Sequence, residues 1–328
     1  MSETVNIAGL AAKVSESIFS AFNWKLLPVQ DENFPCEKVD KHKTKGSGGK
    51  HPVDCVFGYP DPFSSKMVFL LCDLKSYAAS TIAGTEFGPY IRGISKAIDC
   101  AKVSETWKAR YVPVSQNDWQ IEGLLFVYNH DNDYDASFKE KARGLEPPAL
   151  PHHRTVRVHL MDPETISYLQ SVVKDMKSTC GEFDLDYGQR RFYYPNQLIN
   201  VPGECRMQVA TIEMLRGRLL IAVLKERLTG FDRYFVYLRS KGSLQDFEYI
   251  VTYLYRHGVM ELANDVFIRG TDFGPTAQTN FENAKQAFLE RHYKMKEIRI
   301  SLEKIKFGRV DRVQNSFSTD DVARLRKP

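Results

Sequence analysis

The sequence has no apolar run that approaches the ~18 residues needed to span a membrane. Residues 1–4 also lack the basic and then apolar pattern of a secretory signal, so we expect a cytoplasmic protein with no membrane partner. Glycine and proline are modest, at 20 and 15 of 328 residues, which excludes collagen-like and linker-like chains. With 43% hydrophobic and 26% charged residues, the composition predicts a folded globular protein.

Other motifs are missing as well. None of the six cysteines forms a Cys-x-x-Cys pair or has a histidine beside it at zinc-ligand spacing, so neither a disulfide framework nor a zinc site is expected. No Gly-x-x-x-x-Gly-Lys-Ser/Thr loop is present, and ATP would therefore have to be handled by another subunit, an ATPase or a helicase. The net charge of +4 is too small to identify a polyanionic partner by itself.

The clearest internal boundary is the polar segment 131–151, which closes on three prolines. It divides the chain into a domain at 1–150 and a domain at 151–328. Hydrophobic periodicity in the first domain predicts helix, three strands, helix and strand, with the first strand near 36–40 and the second helix over 87–106. The second domain, with a strand over 154–161 and a last helix over 276–297, reads as α+β. The fold class is therefore α/β with a second, C-terminal α+β domain.

Acidic residues stand at a predicted hairpin in the first domain. Two strands, 53–59 and 67–75, are joined by the turn 60–65. Asp54 lies early in one strand, and Asp73 and Lys75 close the other on one face, because side chains alternate along a strand. Two carboxylates and an ammonium group are thus expected to meet at one edge of a sheet.

Such a pair of carboxylates is costly unless a cation neutralises it, and oxygen ligands of this kind suit Mg²⁺, or Mn²⁺ in its place. The metal would polarise a phosphoryl oxygen and lower the pKa of bound water. Lys75 could orient the attacking water or offset charge in the transition state. This chemistry is that of a phosphodiesterase.

The run His51-Pro-Val-Asp54, the hairpin, Asp73-Leu74-Lys75 and the helix after it together resemble the PD-(D/E)xK, or restriction-endonuclease-like, nuclease superfamily over roughly residues 1–130. The predicted order of helix, three strands, helix and strand is the core of that superfamily. The resemblance implies that Asp54 and Asp73 are metal ligands, that the Leu74 carbonyl joins them, and that Lys75 is the catalytic lysine.

Many members of that superfamily add a glutamate from the first helix, and Glu16 is the acid in that position here. At 100° per residue Glu16 points away from the main apolar stripe of the helix, so it reaches the metal only if the helix packs on its Ala8, Ala12 and Phe19 side.

A second Asp-x-Lys tripeptide, Asp175-Met-Lys177, shows that the tripeptide alone proves nothing. It sits late in a predicted amphipathic helix with no second acid, which indicates a structural role. A surface ion pair at the end of a strand is the corresponding structural interpretation of Asp73 and Lys75.

The loop that enters the Asp54 strand is basic and rich in glycine. Its lysines would neutralise phosphates approaching the acid pair, although a solvated loop is the alternative. The nucleic-acid-binding residues predicted here are Lys41, Lys43, Lys45, Lys50 and His51.

The sequence thus predicts a metal-dependent nuclease, an endonuclease or exonuclease acting on DNA in preference to RNA. Its context would be restriction or anti-phage defence, as one component of a multi-subunit system or as a homo-oligomer, with the second domain recognising substrate or docking a partner. The alternative is a catalytically inactive nuclease-fold protein that binds nucleic acid or serves assembly.

Overall fold

The computed structural model describes residues 2–42, 48–135, 137–148, 156–195, 206–292 and 294–313. The chain forms two compact units. The first comprises the described residues up to Asp61 together with Ser65–Ser167, and the second comprises Pro62–Ser64 and Tyr168–Val313. The α/β class with a further α+β unit is confirmed. None of the described helices is both long and apolar enough to cross a membrane.

The first unit alternates strands and helices. Its elements in chain order are α1 (Ser2–Ala21), β1 (Lys25–Leu26), β2 (Phe34–Pro35), α2 (Val39–His42), β3 (Lys50–His51), β4 (Cys55–Pro60), β5 (Met67–Tyr77), α3 (Ala79–Gly84), α4 (Gly88–Ala101), α5 (Glu105–Tyr111), β6 (Trp119–Asn129), α6 (Lys139–Ala142), β7 (Val158–Met161) and the start of α7 (Pro163–Glu182).

The main sheet of this unit has the order β1-β4-β5-β6-β7. Strands β4 and β5 form the predicted antiparallel hairpin, and β6 and β7 run parallel to β5. A parallel neighbour requires a crossover, and α4 lies within the connection between β5 and β6. The predicted order of helix, three strands, helix and strand is therefore present as α1, β1, β4, β5, α4 and β6.

Helices cover the two faces of this sheet. On one face, Phe19 of α1 lies 4.8 Å from Phe57 and 5.9 Å from Phe126 between ring centroids. On the other face, α4 approaches β6 so closely that a Cβ at Gly123 would lie 2.3 Å from Ile94 Cγ2. Only glycine permits this approach without a shift of the helix.

Three features of the first unit differ from the sequence-based expectation. No strand covers 36–40: the first strand of the sheet is β1, and the chain after Cys36 turns into α2 so that His42 can be buried. The helix expected over 87–106 is two helices, because the amides of Val103 and Ser104 bond back to the Cys100 carbonyl. The strand expected within 154–161 belongs to the first unit, because β7 pairs with β6.

The division between the two units falls in α7, between Ser167 and Tyr168, whereas the sequence analysis set its domain boundary near 150. The elements of the second unit after α7 are β8 (Leu185–Tyr193), β9 (Arg206–Met207), α8 (Ile212–Arg216), β10 (Leu219–Glu226), β11 (Asp232–Leu238), α9 (Leu244–Arg256), α10 (Val259–Leu262), β12 (Asp265–Gly270), α11 (Ala277–Arg291), α12 (Lys296–Glu303) and β13 (Ile305–Arg309).

The second unit is built on a mixed sheet of order β13-β12-β11-β10-β8-β9. Its core lies where β10, β11 and β12 pack against α9 and α11. Helix α9 begins with a capping box, in which Ser243 and Asp246 are each bonded to the other's backbone amide. The expected last helix over 276–297 is shorter, since α11 ends at Arg291 and α12 follows separately.

Candidate active site

The hairpin brings Asp54 beside the end of β5. The regular ladder ends at the pair of Cys55 with Cys72, and the Asp54 amide donates to the Cys72 carbonyl at 3.3 Å. Alternation from Leu71, which belongs to the same core cluster as Ile94 of α4, puts Asp73 on the α4 face. The Leu74 amide donates to Asp54 Oδ2 at 2.6 Å, which ties the Asp54 carboxylate to the neighbouring strand.

Lys75 lies on the same face as Asp73, as the alternation of β5 predicts. Its ammonium group forms an ion pair with Asp73 Oδ1, and both side chains remain about one-fifth exposed, at 22% and 21%. The ammonium also lies 5.1 Å from the centre of the Tyr90 ring on α4. The Tyr90 hydroxyl is hydrogen-bonded to that of Tyr77 at 2.9 Å, so α4 and the end of β5 together position Lys75.

The electrostatics of this site favour a cation. Burial raises the pKa of Asp54, and the charges of Asp73 and Asp31 raise it further, while the Leu74 amide and Lys75 act in the opposite direction. Asp73 Oδ1 is shielded from solvent and has no hydrogen-bond partner among the described residues, although it is ion-paired with Lys75. Clustered carboxylate oxygens of this kind are the donor set that a hard divalent cation requires. The residues present therefore fit a divalent metal.

The structure does not bring Glu16 into this group. Its side chain is exposed on α1, and α1 covers the face of the sheet that carries Phe57. Phe57 pairs with Leu70, and alternation from Leu70 puts Asp73 on the opposite face. The sequence analysis required the first helix to pack on its Ala8, Ala12 and Phe19 side for Glu16 to reach the metal. Phe19 does pack on the sheet, but Glu16 faces solvent.

The basic loop gives a mixed result. Lys41 and Lys50 are exposed, whereas Lys43 and Lys45 lie outside the described residues. His51 requires a correction, because its side chain is only 3% exposed and so cannot contact nucleic acid. The Leu74 carbonyl as a metal ligand, and the binding roles of the lysines, stay predictions.

The Asp175-Met-Lys177 tripeptide lies in α7, as predicted. Asp175 is buried and bonds to the Tyr237 hydroxyl at 2.8 Å and to the Arg269 guanidinium at 2.6 Å. Lys177 is exposed. This aspartate is a structural residue of the second unit.

One group of potential ligands was missed by the sequence analysis. Cys36, His42, His51 and Cys100 are all buried, and their ligand atoms all lie within 4.8 Å of one another. The expectation of no zinc site did not foresee this cluster. Its basis was spacing along the chain, and Cys100 lies 64 residues from Cys36. The one available signal was the group of Cys36, His42 and His51 within 16 residues.

The helix, antiparallel hairpin, crossover helix and parallel strand that surround Asp54 and Asp73 define the class of the first unit as a PD-(D/E)xK nuclease domain, as the sequence resemblance predicted. The family model of the GAPS4 protein PD-(D/E)XK nuclease domain matches residues 1–165 of the 328, and the chain belongs to this family. Comparisons with curated proteins and with solved structures find no match.

Proposed function

We propose that the protein hydrolyses phosphodiester bonds of DNA with Mg²⁺, or Mn²⁺ in its place, as one component of an anti-phage defence system. The observation that carries the proposal is the convergence of Asp54, Asp73 and Lys75 at one edge of the hairpin in a nuclease-family chain. We assign the action to the cytoplasm, because invading DNA is encountered there.

In this proposal Asp54 and Asp73, with the Leu74 carbonyl, hold the cation, and Lys75 is the catalytic lysine. The bound metal would supply Lewis-acid polarisation of the phosphoryl oxygen and a lower pKa for water. Lys75 orients the attacking water or stabilises charge that develops on the phosphate. Tyr90 acts as a positioning residue, because its ring holds the Lys75 ammonium on the α4 side.

Substrate and partners complete the proposal. The exposed Lys41 and Lys50 flank the stretch that leads to Asp54 and supply positive charge for phosphates. Apart from Pro62–Ser64, the second unit lies beyond the family match, which ends at residue 165, and we assign it to substrate recognition or partner docking. Since the sequence has no P-loop, an ATPase or helicase subunit is the partner we propose, with self-association as the alternative assembly.

The test is incubation of the full chain with supercoiled plasmid, linear duplex, single-stranded DNA and RNA, each with Mg²⁺, Mn²⁺ or EDTA. We expect metal-dependent cleavage of DNA that is lost in Asp73→Ala and Lys75→Ala. Lys177→Ala is the matched control, because it removes an exposed lysine from the other Asp-x-Lys tripeptide.

Cleavage by Asp73→Ala or Lys75→Ala at the parent rate would overturn the site assignment. A parent that binds DNA but never cleaves a nucleic acid with any metal would overturn the enzyme and favour an inactive binding or assembly subunit.

A further inference from the structure

Four buried side chains from four segments of the first unit meet in a cluster that does not include Asp54 or Asp73. Cys36 follows β2, His42 ends α2, His51 lies in β3 and Cys100 lies near the end of α4. Each is at most 7% exposed. Two thiols and two imidazoles form the Cys₂His₂ donor set that proteins use for structural zinc.

The distances among Cys36, His42 and Cys100 are those of a tetrahedral metal site, and the ligand atom of His51 lies within 4.8 Å of the other three. Cys36 Sγ and Cys100 Sγ lie 3.8 Å apart, and His42 Nδ1 lies 3.5 Å from the first and 3.4 Å from the second. With Zn–S near 2.3 Å and Zn–N near 2.0–2.1 Å, a regular tetrahedron places two sulfurs about 3.8 Å apart and a sulfur and nitrogen about 3.5 Å apart. The spacing already suits one central ion.

A cluster without metal satisfies these groups poorly. His42 Nδ1 has a single lone pair, yet two thiols lie within 3.5 Å of it. His51 Nε2 is buried with no hydrogen-bond partner among the described residues, and a buried polar group left in this state costs about 1–3 kcal/mol. A disulfide is also excluded in this structure, because 3.8 Å between Cys36 and Cys100 greatly exceeds the S–S bond length of about 2.05 Å.

An outer shell completes the site. Asp99 Oδ2 lies 3.2 Å from His42 Nε2, on the side of the ring away from the thiols, and Lys38 forms an ion pair with the same oxygen at 2.6 Å. A carboxylate behind a ligating histidine is the usual second layer of zinc sites, where it fixes the ring and its tautomer. The charges also balance, since two thiolates match Zn²⁺ and Lys38 matches Asp99.

We propose that Cys36, His42, His51 and Cys100 bind one structural zinc ion. Four protein ligands close the coordination sphere and leave no position for substrate, which separates this site from the acidic site at Asp54 and Asp73.

The zinc ion would stabilise the short elements β2, α2 and β3. Strands β2 and β3 have two residues each and α2 has four, too few to hold a stable arrangement on their own. Zinc would fasten this small module to α4, the helix that also carries Tyr90. His42 and His51 stand on either side of the lysine-bearing segment 43–50 in the sequence, so the metal would hold both flanking residues in place. An effect of the metal on DNA contact through these lysines rests on the proposed function. The zinc site itself does not.

The first test measures metal in the full chain, purified without chelators, by elemental analysis. We expect one zinc per chain in the parent and in two controls, Cys180→Ser, which removes a free cysteine from the second unit, and Asp73→Ala, which alters only the acidic site. The double variant Cys36→Ser/Cys100→Ser should lose the zinc. A parent that holds no zinc even after reconstitution, or a double variant that retains it, would overturn the proposal.

A second measurement covers the case in which the double variant does not fold. Replacing zinc with Co²⁺ in the parent should give the visible absorption of tetrahedral cobalt bound to thiolates, and an octahedral spectrum would contradict the site. Asp99→Asn keeps all four ligands and should weaken zinc binding about 10–100-fold in a chelator competition. Unchanged affinity in that variant would contradict the outer shell described here. None of these tests measures cleavage of DNA, so they remain valid even if the nuclease proposal fails.

Discussion

The two Asp-x-Lys tripeptides of this chain have the same spacing but place their side chains differently. In β5, residues two apart share a face, so Asp73 and Lys75 are ion-paired beside Asp54. In α7, residues two apart point in different directions, so Asp175 is buried while Lys177 is exposed. The same three-residue pattern therefore forms a candidate site on a strand and separates on a helix.

The two aspartates also differ in how their charge is balanced. Asp175 has partners in fixed positions, the Arg269 guanidinium and the Tyr237 hydroxyl. Asp73 is ion-paired with Lys75 but also lies close to another carboxylate, Asp54, whose pKa is raised by burial and by that proximity. Charge neutralised within the fold indicates a structural role, whereas charge concentrated at a partly open edge indicates a ligand.

Asp175→Ala should produce the largest loss of stability. The substitution leaves the Arg269 guanidinium, only 15% exposed, without its carboxylate, and breaking such a buried pair costs about 3–5 kcal/mol. Urea unfolding measures the loss, with Lys177→Ala as the control that should change stability by less than about 0.5 kcal/mol. A change below about 1 kcal/mol in Asp175→Ala would mean that the Arg269 pair contributes little.

Asp73→Ala should act on activity and not on stability. Removing a ligand of the metal that would stabilise transition-state charge should lower the rate by about 100–1,000-fold, whereas the loss of a partly exposed aspartate leaves the fold intact. Cleavage rates and unfolding curves of the same preparation provide the measurement. If this variant unfolded as readily as Asp175→Ala, the contrast between the two tripeptides would fail.

Asp54→Asn should change how the free energy of unfolding depends on pH. We expect this change to be smaller than the loss of stability in Asp175→Ala and less marked than the loss of rate in Asp73→Ala. Because the folded pKa of Asp54 is raised, the folded state holds its proton more tightly than the unfolded state. Below the ordinary pKa of 3.8 the group costs nothing, and as pH rises from there through the folded pKa its ionisation destabilises the parent. The variant lacks this cost, so its advantage over the parent should grow through that window in unfolding measured without added divalent cations. An advantage that is independent of pH would contradict the raised pKa.

Tyr90→Phe should give the smallest effect. The phenylalanine ring keeps its place beside the Lys75 ammonium but loses the hydrogen bond to Tyr77. We expect a stability loss of about 0.5–1.5 kcal/mol and a cleavage rate within about tenfold of the parent. Tyr90→Leu, which removes the ring, is the comparison that tests the contact with Lys75: equal rates in the two variants would show that the ring does not position the lysine.

Much of the first unit could be predicted from local patterns. The hairpin of β4 and β5 follows from alternation around a proline-containing turn, and the shared face of Asp73 and Lys75 follows from the strand period. The caps at Asp162 and Ser243 also follow from local chemistry, since a side-chain oxygen satisfies amides three residues away.

Other elements lacked such a signal. Strand β8 is largely polar, with Asp186, Gln189 and Arg190 in its run, and it becomes a strand because it pairs with β10. Strand β13 likewise depends on its parallel neighbour β12. Strand β7 was predicted but assigned to the wrong half, because its pairing with β6 is not encoded within its own few residues.

Hydrophobic period and capping residues, which act within one or two turns of chain, were enough to establish the nuclease core and the shared face of Asp73 and Lys75. Packing between distant segments assembled Cys36, His42, His51 and Cys100 and selected Arg269 as the partner of Asp175. The physical reason is that alternation reports which way a side chain points relative to its own element, whereas its neighbours depend on which elements the whole core brings together.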